Sequence, residues 1–205
     1  YVLYHLTQEH LKHMLFPLGE LEKPQVRAVA HEAGLGNADK LESQDICFVP
    51  DGDYATFIEE HTGATFVPGP IVDETGAVLG KHNGLVHYTI GQRKGLGVAA
   101  GHPLFVLKKD AKTNTLVVGP ATSAGVHEVV ANDVNLISVA EIAEPLTVEA
   151  KVNYRATPRK AVVRMKGEKL IATFEKPVRA VAPGQAMVLY QGDVVVGGGT
   201  IESTR

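Results

Sequence analysis

The sequence predicts a mixed fold: helices over roughly the first sixty residues, a small β-rich middle, and a last part with strands spaced as in a barrel or sandwich. Three observations support it. Apolar residues recur at helical spacing before Gly63 and not after it. The triplet Pro68-Gly69-Pro70 then breaks the chain. Beyond it, runs rich in Val and Thr alternate with turn residues, and 21 glycines and 11 prolines favour short strands over long helices.

In chain order, Thr7 can cap a first helix through Glu9, Leu11 and Leu15, stopped by Pro17 and Gly19. Pro24 suits the first turn of a second helix, with Val26, Val29 and Ala30 on one face and Gly34 at its end. A third follows Asp51-Gly52-Asp53, with Tyr54, Phe57 and Ile58 at helical spacing. Between the last two, residues 41–50 read as a loop entering a short strand or turn. The middle region carries strand signals at Ile71-Val72, Leu85 to Ile90, Leu104 to Lys108 and Thr115 to Val118, with turns at Asp73 to Gly76 and Lys112 to Asn114. A second break falls at Ser123 to Val126. Strands are then expected at Leu146 to Tyr154, Lys160 to Met165, Leu170 to Phe174, Ala186 to Tyr190 and Val194 to Gly197. Met165 to Glu168 and Gln191-Gly192-Asp193 make the hairpin turns.

With 205 residues, 44% hydrophobic and 21% charged, the chain has the composition of one ordinary domain or two to three small ones. A net charge of −3 does not advertise a polyanion binder, but the average hides local clusters. Lys151 to Lys169 holds seven basic residues against one acid, and Lys81 to Lys109 holds five basic residues and no acid. Such clusters suit nucleic acid, and they also suit solvated strand faces. One cysteine excludes an internal disulfide and fits a reducing, cytoplasmic setting. No apolar run is long enough for a membrane helix. The opening Tyr1-Val2-Leu3-Tyr4-His5 is no signal or transit peptide, and without Met it reads as a chain cut from something longer.

Four segments carry candidate chemistry. Cys47 follows Ser43-Gln44-Asp45 and sits between Ile46 and Phe48, so it reads either as a small buried hydrophobe or as an accessible thiol able to ionise. His87 to Gly97 places Arg93 and Lys94 among glycines, where a backbone can approach phosphate; the spacing is not a Walker loop, and a tight hairpin with exposed cations reads equally well. Val152 to Lys160 sets Tyr154 beside arginines, a combination on which RNA bases stack, or a solvated barrel edge. Pro183-Gly184-Gln185 and Gly197 to Ile201 can be plain turns and bulges. His10 and His13, or His82 and His87, lack the cysteines or carboxylates that would complete a metal site, so no metal is predicted.

Taken together, these pieces resemble the tRNA-specific 2-thiouridylase family. The matching segments are Phe16 to Arg27, Ser43 to Phe48, Gly80 to Leu85, His87 to Gly97, Tyr154-Arg155, Pro183 to Gln185 and Gly197 to Glu202, in the family's order over nearly the whole chain. The resemblance implies that residues 1–62 are the helical tail of an α/β nucleotide-binding domain, 63–125 a small β-rich central domain, and 126–205 a C-terminal antiparallel β-barrel. It implies an enzyme that uses ATP to adenylate the 2-oxygen of the wobble uridine in certain tRNAs, after which a persulfide sulfur displaces AMP. Cys47 matches the second of two cysteines, the persulfide carrier; a persulfide sulfur-donor protein would load it. Asn153, Tyr154 and Gln185 match tRNA-contacting positions, and Arg155 joins them by charge and adjacency. Arg93 and Lys94 are further RNA or interdomain contacts. The family's Ser-Gly-Gly-x-Asp-Ser loop and its first cysteine do not occur here, so the chain alone is expected neither to bind ATP nor to turn over. The alternative is a non-catalytic, RNA-binding or translation-factor-like barrel, which would have no need of a reactive thiol.

Overall fold

The computed structural model describes residues 1–40, 49 and 53–205. Two compact units emerge: His10–Ala64, and Tyr1–Glu9 together with Thr65–Arg205. Cys47 lies outside the described residues.

Helix α1 is short, Gln8–Lys12, where the sequence suggests one reaching Leu15. The chain tightens instead, with the His13 amide bonded to the His10 carbonyl at 3.0 Å and Met14 to Leu11 at 3.3 Å, and Leu15 is 88% exposed. So few residues cannot offset the cost of helix nucleation without burial, and Pro17 denies the next turn a donor. Helix α2, Lys23–Glu32, begins as expected: Pro24 lies in its first turn and the Glu22 amide donates to Gln25 Oε1 at 2.8 Å. It ends at Gly34, whose φ of +65° lets the Leu35 amide return to the Ala30 carbonyl. Its apolar face is not sealed by the described residues; Val29 is 50% exposed. Helix α3, Tyr54–Thr62, is capped by Asp53, which accepts from the Thr56 amide at 3.1 Å and hydroxyl at 2.7 Å.

The second unit contains a four-stranded sheet and a barrel. The sheet comprises β1 (Gly69–Val72), β2 (Val78–His82), β3 (Phe105–Asp110) and β4 (Thr115–Gly119), in the order β2-β1-β4-β3. β1 and β4 run parallel; the other pairs are antiparallel. Ile71, Val106, Leu116 and Val118 are completely buried between it and the returning chain of Tyr88, Leu96 and Leu104. The strand expected at Leu85 to Ile90 is not one: Leu85–His87 forms a single tight turn, and the strand lies upstream, in β2. Apolar periodicity passes over β2 because its one fully buried residue is His82. His82 Nδ1 accepts the Gly84 amide at 3.0 Å and Nε2 donates to the Asn114 carbonyl at 3.0 Å, so both ring nitrogens are satisfied inside the fold.

The barrel closes six strands in the order β10-β5-β8-β7-β6-β9, each antiparallel to its neighbours, with β9 completing the ring on β10. They are β5 (Gly125–Leu136), β6 (Leu146–Lys151), β7 (Arg159–Lys166), β8 (Lys169–Arg179), β9 (Ala186–Gln191) and β10 (Val194–Thr204). Closure makes this a barrel rather than a sandwich. Inward residues alternate along each strand, as in Val148 and Ala150, Ala161 and Val163, Leu170 and Ala172, and Met187 and Leu189. Two expectations change. The break at Ser123 to Val126 already enters β5, the first and longest strand. β10 does not stop at Gly197 but runs through all three glycines to Thr204. Those glycines are strand residues because neighbouring backbone leaves no room for a side chain: a Cβ would lie 2.4 Å from the Asn135 carbonyl oxygen at Gly197, 2.5 Å from that of Met187 at Gly198, and 2.6 Å from that of Asn132 at Gly199.

Candidate nucleic-acid interface

Two connections meet at one end of the barrel, Val152–Pro158 between β6 and β7 and Ala180–Gln185 between β8 and β9, because β7 starts where its antiparallel neighbour β8 ends. Tyr154 sits on the first, 67% exposed. Its ring is held from one side by Tyr1, edge to face with centroids 5.9 Å apart. Lys151 Nζ lies 5.5 Å from the Tyr1 ring centroid and 5.8 Å from that of Tyr154, within range of a cation–π attraction to both. The Tyr1 hydroxyl donates to the Ala186 carbonyl at 2.7 Å. Tyr1 therefore ties Tyr154 to the segment that carries Gln185.

Electrostatics keep this anchor neutral. Burial, reinforced by the neighbouring phenols of Tyr4 and Tyr190, pushes the Tyr1 pKa up to about 12, so the phenol stays a donor at any ordinary pH. Burial raises Tyr190 as well.

The sequence-based site residues fall as follows. Asn153 is half-buried, and its Nδ2 donates to the Ala180 carbonyl at a long 3.4 Å, which joins the two connections. Arg155 is exposed beside Tyr154. Gln185 has an exposed side chain, while its backbone carbonyl accepts from Ile201 at 2.7 Å and fixes its place at the head of β9. Arg93 and Lys94 are exposed on a loop that touches the same barrel end, since Gly91 packs on Ala180 with no space for a Cβ. Cys47 lies outside the described residues and is not part of this geometry. Tyr1 and Lys151 were not singled out from sequence: Tyr1 read as a mere chain start and Lys151 as one of seven cations. A pair of aromatics far apart in sequence gives no local signal of their contact.

The glycine-rich loop is organised from within. Gly91 donates its amide to the Val106 carbonyl at 2.8 Å, Gln92 Oε1 accepts from the Thr89 amide, and Gln92 Nε2 donates to the Lys94 carbonyl. The Gly91 amide is thus spent on β3. Among the described residues no group of three or more His, Cys, Asp or Glu is placed to hold a metal ion, and no helix is long and apolar enough to cross a membrane.

Three family models match in succession: a tRNA methyl transferase HUP domain over residues 1–51, a tRNA methyl transferase PRC-barrel domain over 55–120, and an aminomethyltransferase beta-barrel domain over 126–201. That succession, a HUP-domain segment followed by a small sheet and a closed barrel, defines a modular protein built of three domains. The chain belongs to the tRNA-specific 2-thiouridylase family. It is 50% identical over 203 residues to the tRNA-specific 2-thiouridylase MnmA of Acetivibrio thermocellus, covering 98% of this chain and 56% of that protein. The protein of the same name from Heliobacterium modesticaldum is 48% identical over 204 residues, 98% of this chain and 53% of its own length. That from Clostridioides difficile is 46% identical over all 205 residues, 57% of its length. The chain thus spans about half the length of the curated relatives it matches.

Proposed function

We propose that this chain is the tRNA-gripping and sulfur-carrying portion of an enzyme that converts the wobble uridine of certain tRNAs to 2-thiouridine. The observation that carries the reading is the near-half identity, along nearly the whole chain, to proteins named for that reaction. Within it, residues 1–62 belong to the ATP-binding domain, 63–125 to the central domain and 126–205 to the barrel. The barrel end supplies the tRNA contact: Tyr154 offers an exposed face for a base, Tyr1 and Lys151 hold that ring, and Arg155 adds charge and a planar stacking surface. Asn153 and Gln185 flank it with amide groups suited to base edges or ribose.

Cys47 is the sulfur carrier in this reading. Uridine O2 is a poor leaving group until activated, and a persulfide is a strong nucleophile near neutral pH. Serine at position 47 is close in size but cannot hold a transferable sulfur. ATP belongs to the whole enzyme. The Ser-Gly-Gly-x-Asp-Ser loop whose amides would hold its phosphates does not occur in this sequence. This chain alone should neither bind ATP nor turn over. A persulfide-bearing donor protein would load Cys47.

The test is Cys47→Ser in the full-length enzyme. Thiouridine content of tRNA from cells relying on that variant should fall to background while tRNA binding persists. Wild-type thiouridine levels would overturn the assignment of Cys47 and favour a buried, unreactive cysteine.

A further inference from the structure

Beside Tyr154 the barrel wall is open. β7 and β8 pair from the Lys166–Lys169 turn as far as Ala161 opposite Phe174, and no farther. Past that point β7 stays on β6, with Arg159 opposite Ala150. β8 instead bulges against β5: Thr173 faces Glu128, yet Val178 faces Val126, so residues 174–177 have a single residue, His127, across from them. The strands part, and a groove of about 450 Å³ lies between them. Val152 and Pro177 line its apolar part; Thr157 offers a hydroxyl; Arg159, Lys176 and Arg179 supply three cations.

All three cations are exposed, and none has a carboxylate partner among the described residues. Arg159 and Lys176 also border a neighbouring hollow that holds Glu149, Glu175 and Lys160, but neither acid lines the groove and neither forms an ion pair with these cations. Unpaired guanidinium groups around a gap with an apolar floor match a chain of phosphates with ribose between them better than a flat surface would. The groove starts at the same β6–β7 connection that carries Asn153 and Tyr154.

We infer that this gap is a phosphate-backbone site for an RNA strand, with Arg159, Lys176 and Arg179 neutralising successive phosphates of the strand whose base meets Tyr154. The inference rests on the proposed tRNA reading and extends it to residues that no family resemblance assigned. It also gives the β8 bulge a purpose: the bulge turns Lys176 and Arg179 toward the same opening as Arg159.

The experiment is tRNA binding by this chain across a salt series. Replacing Arg159, Lys176 and Arg179 together with Gln should weaken binding at least about tenfold. It should also flatten the slope of log affinity against log salt by roughly two to three, since each lost phosphate contact removes about 0.7–0.9. Arg159→Lys with Arg179→Lys should restore the slope, which a merely misfolded variant would not do. Arg164→Gln with Lys169→Gln, elsewhere on the barrel, should leave it unchanged. If the triple variant binds with the wild-type slope, the groove assignment fails while the Tyr154 contact can still stand. An acidic protein partner would then be the better occupant. If the wild-type chain binds no tRNA, the functional reading itself fails and the groove with it.

Discussion

At one end of the barrel Arg155, Arg159, Lys176 and Arg179 have no acidic partner among the described residues. Farther along the same walls three cations are matched. Lys169 Nζ lies 2.7 Å from Glu202, and Arg164 and Arg205 each lie 3.6 Å from a carboxylate oxygen of Glu128. In sequence the two sets look alike, since Arg155, Arg159, Arg164 and Lys169 all belong to one basic stretch. The difference comes from β5 and β10, which bring Glu128 and Glu202 into ion pairs with one set, whereas Glu149 and Glu175 share a hollow with Arg159 and Lys176 without pairing them. Exposed ion pairs contribute little stability. Their larger effect here is to cancel charge where it is not needed and leave it uncancelled beside Tyr154.

The strongest way to break the contrast is to break the barrel. Gly198→Val would set a Cβ 2.5 Å from the Met187 carbonyl oxygen and 2.7 Å from the Tyr4 ring. It should cost on the order of 3 kcal/mol or more, read as a large drop in the urea midpoint, and should abolish tRNA binding together with the fold. A midpoint close to wild type would mean that the close approach of β9, β10 and Tyr4 is not required.

A change confined to the contact end should separate binding from stability. Tyr154→Ala combined with Arg155→Ala should reduce tRNA affinity by about tenfold, the scale of one stacked base. The melting temperature should hardly move, because both side chains are exposed. Unchanged affinity would remove these residues from the site.

The smallest expected effect concerns the anchor. Tyr1→Phe deletes the bond to the Ala186 carbonyl and should destabilise the chain by about 1 kcal/mol. Its pH dependence is distinctive. The Tyr1 pKa is raised in the folded state from 10.0 to about 12, so the neutral phenol is the form that the native state prefers. That contribution is fully present below pH 10 and is lost as pH rises toward 12. An alkaline titration followed by tyrosinate absorbance should lose its latest component in the Tyr1→Phe variant. If the latest component persists, a residue other than Tyr1 carries it.

Local signals were legible where local physics decides. Pro24 and Gly34 bound α2, Asp53 caps α3, and Gly167 and Gly192 take positive φ in the two hairpins, all at their expected places. Tyr154 stood out through the arginines beside it as well as through the family resemblance, and Gln185 through the resemblance alone. Nothing local distinguishes an exposed tyrosine that grips RNA from one that does not. β2 was missed because a buried histidine replaces the expected apolar residue. The glycines of β10 read as turns because the reason for them, backbone of β5 and β9 within 2.6 Å of each would-be Cβ, is contributed by residues far away in the chain.

By itself the sequence determined the run from helices to strands, the turn positions, the lone cysteine and the family, since each depends on residues close together or on an ordered set of short motifs. Only the tertiary structure decided which strands become neighbours in the barrel that the family resemblance implies, that Tyr1 reaches across the chain to brace Tyr154, and that the β8 bulge opens a groove lined by cations and no acid. Those outcomes depend on which distant strands become neighbours. Strand pairing is set by burying alternate side chains of all six strands at once, a condition that no short window of sequence contains.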